Sequence, residues 1–567
     1  MFIDLDHLSP EYCRRLHSIS SGNKQYFADC IDTLEMPSLS QLERLICSPS
    51  TRNTFASELY LHISKIDLVV SLLDAGLPIQ AVGTRCKPFA RVLRSCLIAS
   101  GHTSVIIRIY RQSFREIFKG FFRPGKLFFE AYSHSKRRIY AIRTRNVRRL
   151  PATDIPLVLV GTLIYQTSFQ DGQFKDRHFP GLFQAVPSDQ QLRVWFFTTF
   201  YKVHSWFAIF LCIRKSRCNF LVKEDFLTWS DLFKALVTPL FARRNPCIFA
   251  KYRFFDVTDL VNDDFNRHKY DGCMIEGRLN YLFAKRLKEN GYLVNKVVDW
   301  YENQSHSRGT TLGFHTFFPD ADTVGYLGFT PLSNHCGLYP TRTEYSLGAI
   351  PKRIGVVGKG FVSPLRLSFP DLPVFVAPAL RFRSYWTRKT ENQAPRNIVL
   401  VTLPAAYQTC VGFLRAVASS LSFFTDSSWS LVVKRHPSMA HKEFSRLASI
   451  FLQAVDFALT EEAFFDVLLR SRLLISTASS TCVESLMLGV PCIMIGDAQG
   501  LVYNPIPQTI DGKYWKLCFS PHEVKEAIHS FLEMSEFDAS AFLKQSLQIR
   551  EMYFEQTTDE KILSFVL

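Results

Sequence analysis

The sequence lacks the local signatures of several common enzyme classes. It contains no GxSxG, GxxxxGK[ST] or HExxH motif, which argues against serine-hydrolase, P-loop and zincin chemistry. Its 14 cysteines form no CxxC pair and no metal-like Cys/His cluster. We therefore expect free thiols in a reducing compartment, and neither a disulfide framework nor a zinc site.

Long hydrophobic runs are also missing. The most apolar stretch, residues 195–213, is interrupted by Lys202 and His204, and the uninterrupted part, 205–212, is too short to span a bilayer. We interpret it as a buried strand or a core helix. The polar first residues do not resemble a signal peptide, so the sequence favours a cytoplasmic protein.

Length and composition predict a multidomain α/β protein. The chain has 567 residues, of which 47% are hydrophobic, enough for two large domains and an appended segment. We expect five parts, listed in order: a mainly helical basic region, 1–150; an α/β domain, 151–380; a linker, 381–396; a second α/β domain, 397–535; and a C-terminal helix, 536–567.

Apolar runs predict two series of strands. The first series comprises residues 155–162, 192–200, 207–213, 220–222, 294–300, 323–328, 338–340 and 353–358. The second comprises residues 398–403, 431–434, 473–477 and 492–495. Helical patterns lie between the predicted strands, at residues 280–290 in the first series and 411–421 in the second. Strands that alternate with helices indicate parallel sheets, and two such sheets place a ligand-binding cleft at their carboxyl ends.

A turn of small hydroxyl residues follows the predicted strand at 473–477. It includes Ser479, Ser480 and Thr481, and a short helix carrying Glu484 comes next. Such a turn leaves backbone N–H groups at the positive end of a helix, where an anion can bind. An ordinary serine-capped strand–turn–helix is the alternative that the sequence leaves open.

His436 follows another predicted strand, in the segment VVKRHP. Pro437 ends the strand and restricts the backbone of His436. A histidine there can donate to a phosphate oxygen, although a lone histidine after a strand is often a packing or surface residue. Its place at the same sheet edge as the hydroxyl turn favours a nucleotide-phosphate site.

The first half supplies a candidate general base. Glu302 comes directly after the predicted strand at 294–300 and is expected at the cleft. Asp299 and Glu276 are nearby alternatives, and a structural ion pair is the other interpretation of Glu302.

Positive charge is concentrated between residues 108 and 149. This segment has 13 Lys/Arg against two acidic residues, in a chain of net charge +16, and phenylalanines lie among them. It could contact an anionic membrane or nucleic acid, or form a solvated basic face; nucleic acid is less favoured because no recognised motif accompanies it. The candidate membrane-surface residues are Arg137, Arg138, Arg143, Arg145, Arg148 and Arg149.

With these motifs, the chain resembles bacterial GT-B glycosyltransferases of surface polysaccharide biosynthesis. His436-Pro437, the Ser479–Thr481 turn with Glu484, and the GVPCIM run after it carry the resemblance in the second half. The segments WYENQ and PALRF, the latter with Arg381, resemble a surface carbohydrate biosynthesis group. Kdo, sialic-acid and CDP-glycerol-type transferases are related families.

The resemblance implies a GT-B-like fold with two Rossmann-like domains. It also implies transfer of a sugar, with inversion and without a metal or other cofactor, from a nucleotide donor to a glycan or lipid-linked acceptor; a CMP-linked donor is favoured. Glu302 and His436 would be catalytic, and Ser479, Ser480, Thr481, Glu484 and Arg381 would bind the donor. The enzyme would be cytoplasmic, with peripheral contact at the inner membrane face.

Two alternatives remain open at this point. A CDP-polyol phosphotransferase is disfavoured because such enzymes tend to carry a second functional histidine, for which His441 is not convincingly placed. A non-catalytic nucleotide- or nucleic-acid-binding protein would need neither His436 nor a carboxylate in the cleft.

Overall fold

The computed structural model describes residues 1–111, 125–147, 149–387, 396–405, 407–418, 429–452, 456–497 and 500–567. The strands of these residues are β1 Phe2–Asp4, β2 Ala81–Thr84, β3 Ile106–Ile109, β4 Leu157–Ile164, β5 Phe169–Gln170, β6 Gln173–Phe174, β7 Val194–Phe200, β8 Phe220–Leu221, β9 Lys251–Tyr252, β10 Phe255–Asp256, β11 Val294–Trp300, β12 Asp322–Leu327, β13 Arg353–Val356, β14 Val374–Val376, β15 Ile398–Thr402, β16 Ser430–Lys434, β17 Ala458–Leu459, β18 Ser471–Thr477, β19 Cys492–Ile495 and β20 Trp515–Cys518.

The α-helices of the same residues are α1 Pro10–Asp32, α2 Gln41–Ile46, α3 Ser48–Thr51, α4 Leu59–Asp74, α5 Lys87–Ala99, α6 Gly125–Arg143, α7 Leu182–Ala185, α8 Trp206–Lys215, α9 Trp229–Phe241, α10 Thr258–His268, α11 Gly272–Glu289, α12 Ser305–Phe317, α13 Arg342–Ser346, α14 Val362–Leu365, α15 Ser384–Thr387, α16 Tyr407–Ala418, α17 His441–Phe451, α18 Phe464–Leu469, α19 Ser480–Leu486, α20 Pro521–Leu532, α21 Glu536–Tyr553 and α22 Asp559–Val566.

Two large parallel sheets dominate the fold. The first has seven strands in the order β14-β13-β12-β11-β4-β7-β8, and the second has six in the order β17-β16-β15-β18-β19-β20. All neighbouring strands in both sheets are parallel. Their central strands are buried apolar runs, as sheets covered by helices on both faces require. The predicted α/β class, with two Rossmann-like parallel sheets, is confirmed.

The N-terminal region is mainly helical and also contains a small parallel sheet. Its strands β1, β2 and β3 pair side by side. We call the seven-stranded sheet with its helices the first lobe, and the six-stranded sheet with its helices the second lobe. Helices α1, α4 and α5 share one apolar core with the small sheet and with residues of the first lobe, including Tyr252, Phe265 and Leu312. The region is therefore packed onto that lobe through a common core.

Two strand predictions in the first series are wrong. Residues 207–213 belong to helix α8, whose buried residues Trp206, Ile209, Phe210 and Ile213 recur at helical spacing. Leu338 lies in a 3-10 turn, Cys336–Leu338. In both places a short apolar run did not distinguish a strand from other buried backbone.

The chain returns to the first sheet after completing the second. Tyr514 stacks on Phe542 of α21 at a centroid distance of 3.9 Å, and Tyr553 at the end of that helix lies 5.0 Å from the Phe361 ring. In α22, the Phe565 carbonyl accepts a hydrogen bond of 2.7 Å from Lys296 Nζ on β11. The expected C-terminal helix is thus two helices that pack against both lobes.

Within the described ranges, no helix combines the length and the apolar character needed to cross a bilayer.

A buried ion cluster joins the N-terminal region to the first lobe. Arg52 donates to Glu344 Oε2 at 2.6 Å, and Arg308 pairs with the other oxygen; the three side chains are 1%, 6% and 1% exposed. Burial alone would raise the pKa of Glu344, but Arg52 and Arg308 outweigh it and hold that pKa below its usual range. Glu344 is therefore ionised in the folded protein.

Neutralising Glu344 should destabilise the fold strongly. Glu344→Gln leaves two buried guanidinium groups without their anion, and we expect a loss of about 3–5 kcal/mol in the free energy of unfolding, measured by urea denaturation. The matched control is Asp371→Asn, because Asp371 pairs with Arg342 where both side chains are exposed; its loss should stay below about 1 kcal/mol. Equal losses in the two variants would contradict the role of the buried cluster.

Candidate functional site

Each large sheet has one place where the strand order reverses. In the first sheet the chain begins at β4 and later continues on its other side with β11; in the second it begins at β15 and later continues with β18. Such switch points open a crevice at the carboxyl ends of the strands, where doubly wound folds bind ligands. The polar residues predicted from the sequence follow these strands.

A pocket of about 400 Å³ opens at the switch point of the first sheet. Its lining mixes aromatic rings with hydrogen-bonding side chains, among them Thr162, Tyr165, His178, Trp300, Glu302 and His306. Asp299 also lines it, directly opposite Gly161 on β4; a Cβ at Gly161 would overlap Asp299 Oδ1. Glycine at this position therefore makes room for the carboxyl group.

Two carboxyl groups of the pocket have raised pKa values. Burial raises the pKa of Asp299 to about 7, and the Trp300 N–H, which donates to Oδ1 at 2.9 Å, only partly offsets this. Burial also raises the pKa of Glu302, against the hydrogen bonds from Trp300 Nε1 and Gln304 and the charge of Arg381. Trp300 Nε1 lies 2.8 Å from Glu302 Oε1. Asp299 can therefore exchange a proton near neutral pH.

The hydroxyl turn lies at the switch point of the second sheet. Thr402, which ends β15, donates to Ser476 Oγ at 2.8 Å, and Ser476 Oγ lies 3.4 Å from Thr481 Oγ1. Ser479 caps helix α19 through the Thr481 N–H at 3.5 Å, and Ser480 begins that helix. The three predicted hydroxyl residues are partly exposed, so they remain accessible at this edge.

Glu484, one turn into α19, already has a protein partner. The Tyr385 hydroxyl donates to Glu484 Oε2 at 2.5 Å. Burial raises the pKa of Glu484, while this hydrogen bond and the charge of Arg381 oppose the rise. Tyr385 lies in α15, at the start of the segment that the sequence suggested as a linker, and is itself buried.

His436 lies two residues beyond the end of β16. Its Nδ1 accepts the Ser438 N–H at 3.1 Å, so the proton of a neutral imidazole is placed on Nε2. Burial lowers the pKa of His436, and the charges of Arg177 and Lys202 lower it further. The ring is therefore neutral at pH 7 and keeps one N–H donor.

The effect of Arg177 and Lys202 on His436 indicates that the carboxyl edges of the two large sheets face each other. Arg177 and Lys202 follow β6 and β7 of the first lobe, whereas His436 belongs to the second. Strands β16 and β18 flank β15, so their ends are about 10 Å apart at the usual strand spacing. His436 and the hydroxyl turn thus border one gap between the lobes.

Arg381 occupies the centre of this gap. Its guanidinium carbon lies 5.8 Å from the centroid of the Trp300 ring, and its charge opposes the raised pKa values of Glu302 on one side and Glu484 on the other. Arg381 is exposed. Among the described residues it makes no hydrogen bond or ion pair, so its donors remain available.

Several residues at this gap were not among the sequence candidates. Arg177, Lys202 and His178 follow strands without a recognisable motif, and Tyr385 lies in a segment with little core character. The position of Lys202 after β7 was a usable signal, because side chains that follow parallel strands gather at one edge; Arg177 and His178 follow β6, a strand of an antiparallel hairpin to which this rule does not apply. Glu276, an alternative base, is instead buried in an ion pair with Lys223.

The expected basic surface is only partly a surface. Arg137 is largely buried: Nη1 lies 3.3 Å from Glu276 Oε2, and its guanidinium packs on the Trp206 ring. Arg138 donates to the Glu224 carbonyl. Arg137 was therefore wrong as a membrane-surface residue, because it is paired with the buried Glu276. Arg138 is partly exposed. Arg143, Arg145 and Arg149 are exposed, and Arg148, like the phenylalanines at 114, 118, 121 and 122, lies outside the described residues.

Comparison with known proteins gives only distant similarities. No protein-family model matches the chain, and no curated protein matches it. The surface-carbohydrate, Kdo, sialic-acid and CDP-glycerol families are therefore not identified by these comparisons.

Solved structures similar to this chain include the UDP-GlcNAc 2-epimerase from Neisseria meningitidis bound to UDP-GlcNAc, at 12% identity and a TM-score of 0.40, covering 72% of this chain and 99% of that one. MnaA from S. aureus with UDP has 11% identity and a TM-score of 0.42, covering 72% and 95%. MurG from Acinetobacter baumannii has 10% identity and a TM-score of 0.38, covering 72% and 99%.

The Asp299 carboxyl should make stability depend on pH. Its pKa is about 7 in the folded protein against 3.8 for the free group, so its contribution is present below pH 4 and is lost as pH rises through 7. Asp299→Asn removes this pH-dependent loss. The unfolding free energy of the variant minus that of the wild type should therefore rise by roughly 2 kcal/mol when the pH is raised from 5 to 8.

Urea denaturation at the two pH values measures this change. The control is Asp320→Asn, which alters an exposed carboxyl in a turn and should show no such gain. A difference between Asp299→Asn and the wild type that does not vary with pH would refute the raised pKa of Asp299.

Proposed function

We propose that the chain is a GT-B-type glycosyltransferase that moves a sugar from a nucleotide donor to an acceptor hydroxyl in the gap between the lobes. The observation that carries this proposal is Arg381, an exposed guanidinium that makes no hydrogen bond or ion pair among the described residues, between carboxyl groups of both lobes. A cation left unpaired beside acidic groups favours an anionic ligand, and the bidentate donors of arginine suit phosphate.

The donor's phosphate would lie against the second lobe. His436 Nε2, the hydroxyls of Ser479, Ser480 and Thr481, and the guanidinium of Arg381 all border the gap. Glu484 would accept from a ribose hydroxyl with its remaining oxygen, while Tyr385 fixes the other one. The resemblance of these motifs favours a CMP-linked donor.

The acceptor would enter the pocket of the first lobe. Its aromatic rings and its mixture of amide, hydroxyl and carboxyl groups suit a sugar, whose apolar face stacks on rings and whose hydroxyls need hydrogen-bond partners. A glycan or lipid-linked acceptor of surface polysaccharide synthesis is the proposed class.

The reaction would proceed with inversion. Glu302 takes the proton of the acceptor hydroxyl while the oxygen of that hydroxyl bonds to the anomeric carbon of the donor sugar. At the same time the bond between this carbon and the donor phosphate breaks. The phosphate leaves with the electron pair. Arg381 and the neutral His436 stabilise the charge that grows on it, and the nearby Arg177 and Lys202 add positive potential. In this scheme the chain's own positively charged side chains stabilise the leaving phosphate, and no metal is required.

Removing the Arg381 side chain should weaken nucleotide binding. Arg381→Ala loses a charge-assisted contact worth about 1.5–3 kcal/mol, which corresponds to a 10- to 100-fold rise in Kd. Calorimetric titration with CMP, CDP, UDP and GDP measures the effect, and a bound nucleotide should raise the melting temperature of the wild type.

The matched control for this substitution is Arg383→Ala. Arg383 lies two positions away and pairs with Asp559 at the surface, so its loss should leave nucleotide affinity unchanged. If none of the four nucleotides binds the wild type, or if both variants bind them equally well, the proposed donor site is wrong.

Replacing the proposed base should separate transfer from binding. Glu302→Gln keeps the hydrogen-bonding shape but cannot take a proton, so we expect a 10²- to 10⁴-fold fall in kcat, roughly the usual contribution of a general base. Donor affinity should remain unchanged. Nucleotide release from the best-binding nucleotide sugar measures turnover; loss of donor affinity instead would assign Glu302 to donor binding, and an unchanged kcat would move the base to Asp299.

A further inference from the structure

Helix α9 carries an apolar stripe on its exposed side. Trp229, Phe233, Leu240 and Phe241 are 50%, 67%, 55% and 83% exposed. Their spacing places them along one face of the helix. The opposite face, with Leu232, Ala235 and Pro239, is buried. Helix α9 is thus apolar on two sides, although only one side meets the protein core.

A second helix extends this apolar surface. Helix α6 packs beside α9, and near its start Phe128, Phe129 and Tyr132 are also exposed. Large aromatic residues on neighbouring helices make a patch of the kind that marks an interaction surface, because soluble proteins rarely expose several large apolar side chains together.

The exposed charges on the two helices, and on the residues that directly follow them, are basic. In residues 125–145 and 229–244 the only acidic residues are Glu130 and Asp231. Asp231 is buried and pairs with Arg286 at 2.8 Å, and Glu130 is only partly exposed and lies beside His134. By contrast, Arg143, Arg145, Lys234, Arg243 and Arg244 are all exposed.

We propose that helices α6 and α9 form a docking surface for an anionic lipid bilayer. Aromatic side chains in the headgroup boundary, flanked by Lys and Arg, are the pattern by which a protein lies on a membrane without crossing it. The charge of the patch complements anionic headgroups. This surface differs from the basic segment suggested by the sequence, because Arg137 is largely buried and α9 supplies the apolar contact.

The binding energy has two independent parts. Phe233 and Phe241 supply apolar burial, and each is expected to contribute about tenfold to the partition coefficient. Lys234, Arg243 and Arg244 supply electrostatic attraction of about fivefold each at low salt. Neither group lies in the gap between the lobes, so the surface does not depend on the proposed activity.

Vesicle sedimentation of the full chain tests the surface. The wild type should sediment with vesicles of phosphatidylglycerol and phosphatidylcholine in equal parts, and at least tenfold less with phosphatidylcholine alone. The double variant Phe233→Ser/Phe241→Ser should lose at least tenfold of its binding to anionic vesicles. Lys234→Glu/Arg243→Glu should lose a similar factor at low salt and less at high salt.

The matched control is Phe537→Ser, which removes an equally exposed phenylalanine, 82% exposed, from α21 in another part of the molecule. It should bind vesicles like the wild type, and all variants should keep the wild-type circular dichroism and nucleotide-induced melting shift. The proposal is overturned if the wild type ignores anionic vesicles, if Phe233→Ser/Phe241→Ser binds them undiminished, or if the patch instead mediates self-association that the double variant abolishes.

Discussion

The candidate site depends on one constraint: the carboxyl ends of two separate parallel sheets must face each other across a gap. The C-terminal helices help to hold this arrangement, because α21 packs on the second sheet through Phe542 and reaches the first lobe through Tyr553. Gly358 and Gly360 allow that approach, since a Cβ at either position would overlap Tyr553. The relative placement of His436, Arg381 and the pocket follows from this packing.

Electrostatics divide the molecule into two kinds of charged cluster. In the Arg52–Glu344–Arg308 cluster every charge has a close partner, and its buried geometry serves the packing of the N-terminal region. At the gap the opposite holds: Arg381 makes no hydrogen bond or ion pair among the described residues, and Asp299 and Glu302 carry raised pKa values because the effect of burial exceeds that of the nearby positive charges. Leaving charges uncompensated costs stability, so such a cluster points to a ligand.

Much of the fold could be predicted from the sequence, because parallel strands are local apolar runs. The strands at 294–300 and 492–495 coincide with β11 and β19, and the residues after β11, β16 and β18 were the ones predicted at the sheet edges. The sequence could not predict which side chains interact across the gap. Tyr385 and Glu484 are separated by 99 positions, and no local pattern relates them. The same holds for the influence of Arg177 and Lys202 on His436.

The basic segment shows why composition alone does not locate a surface. Counting charges between residues 108 and 149 treats every arginine alike, but the environment decides what each one does. Arg137 is largely buried beside Glu276 and Arg138 donates to the Glu224 carbonyl, whereas Arg143 and Arg145 remain exposed. Helix α9 presents the complementary case: Leu232 and Ala235 are buried, whereas Phe233 and Leu240 of the same helix are exposed. Which apolar face a helix leaves open is therefore a property of the packed structure.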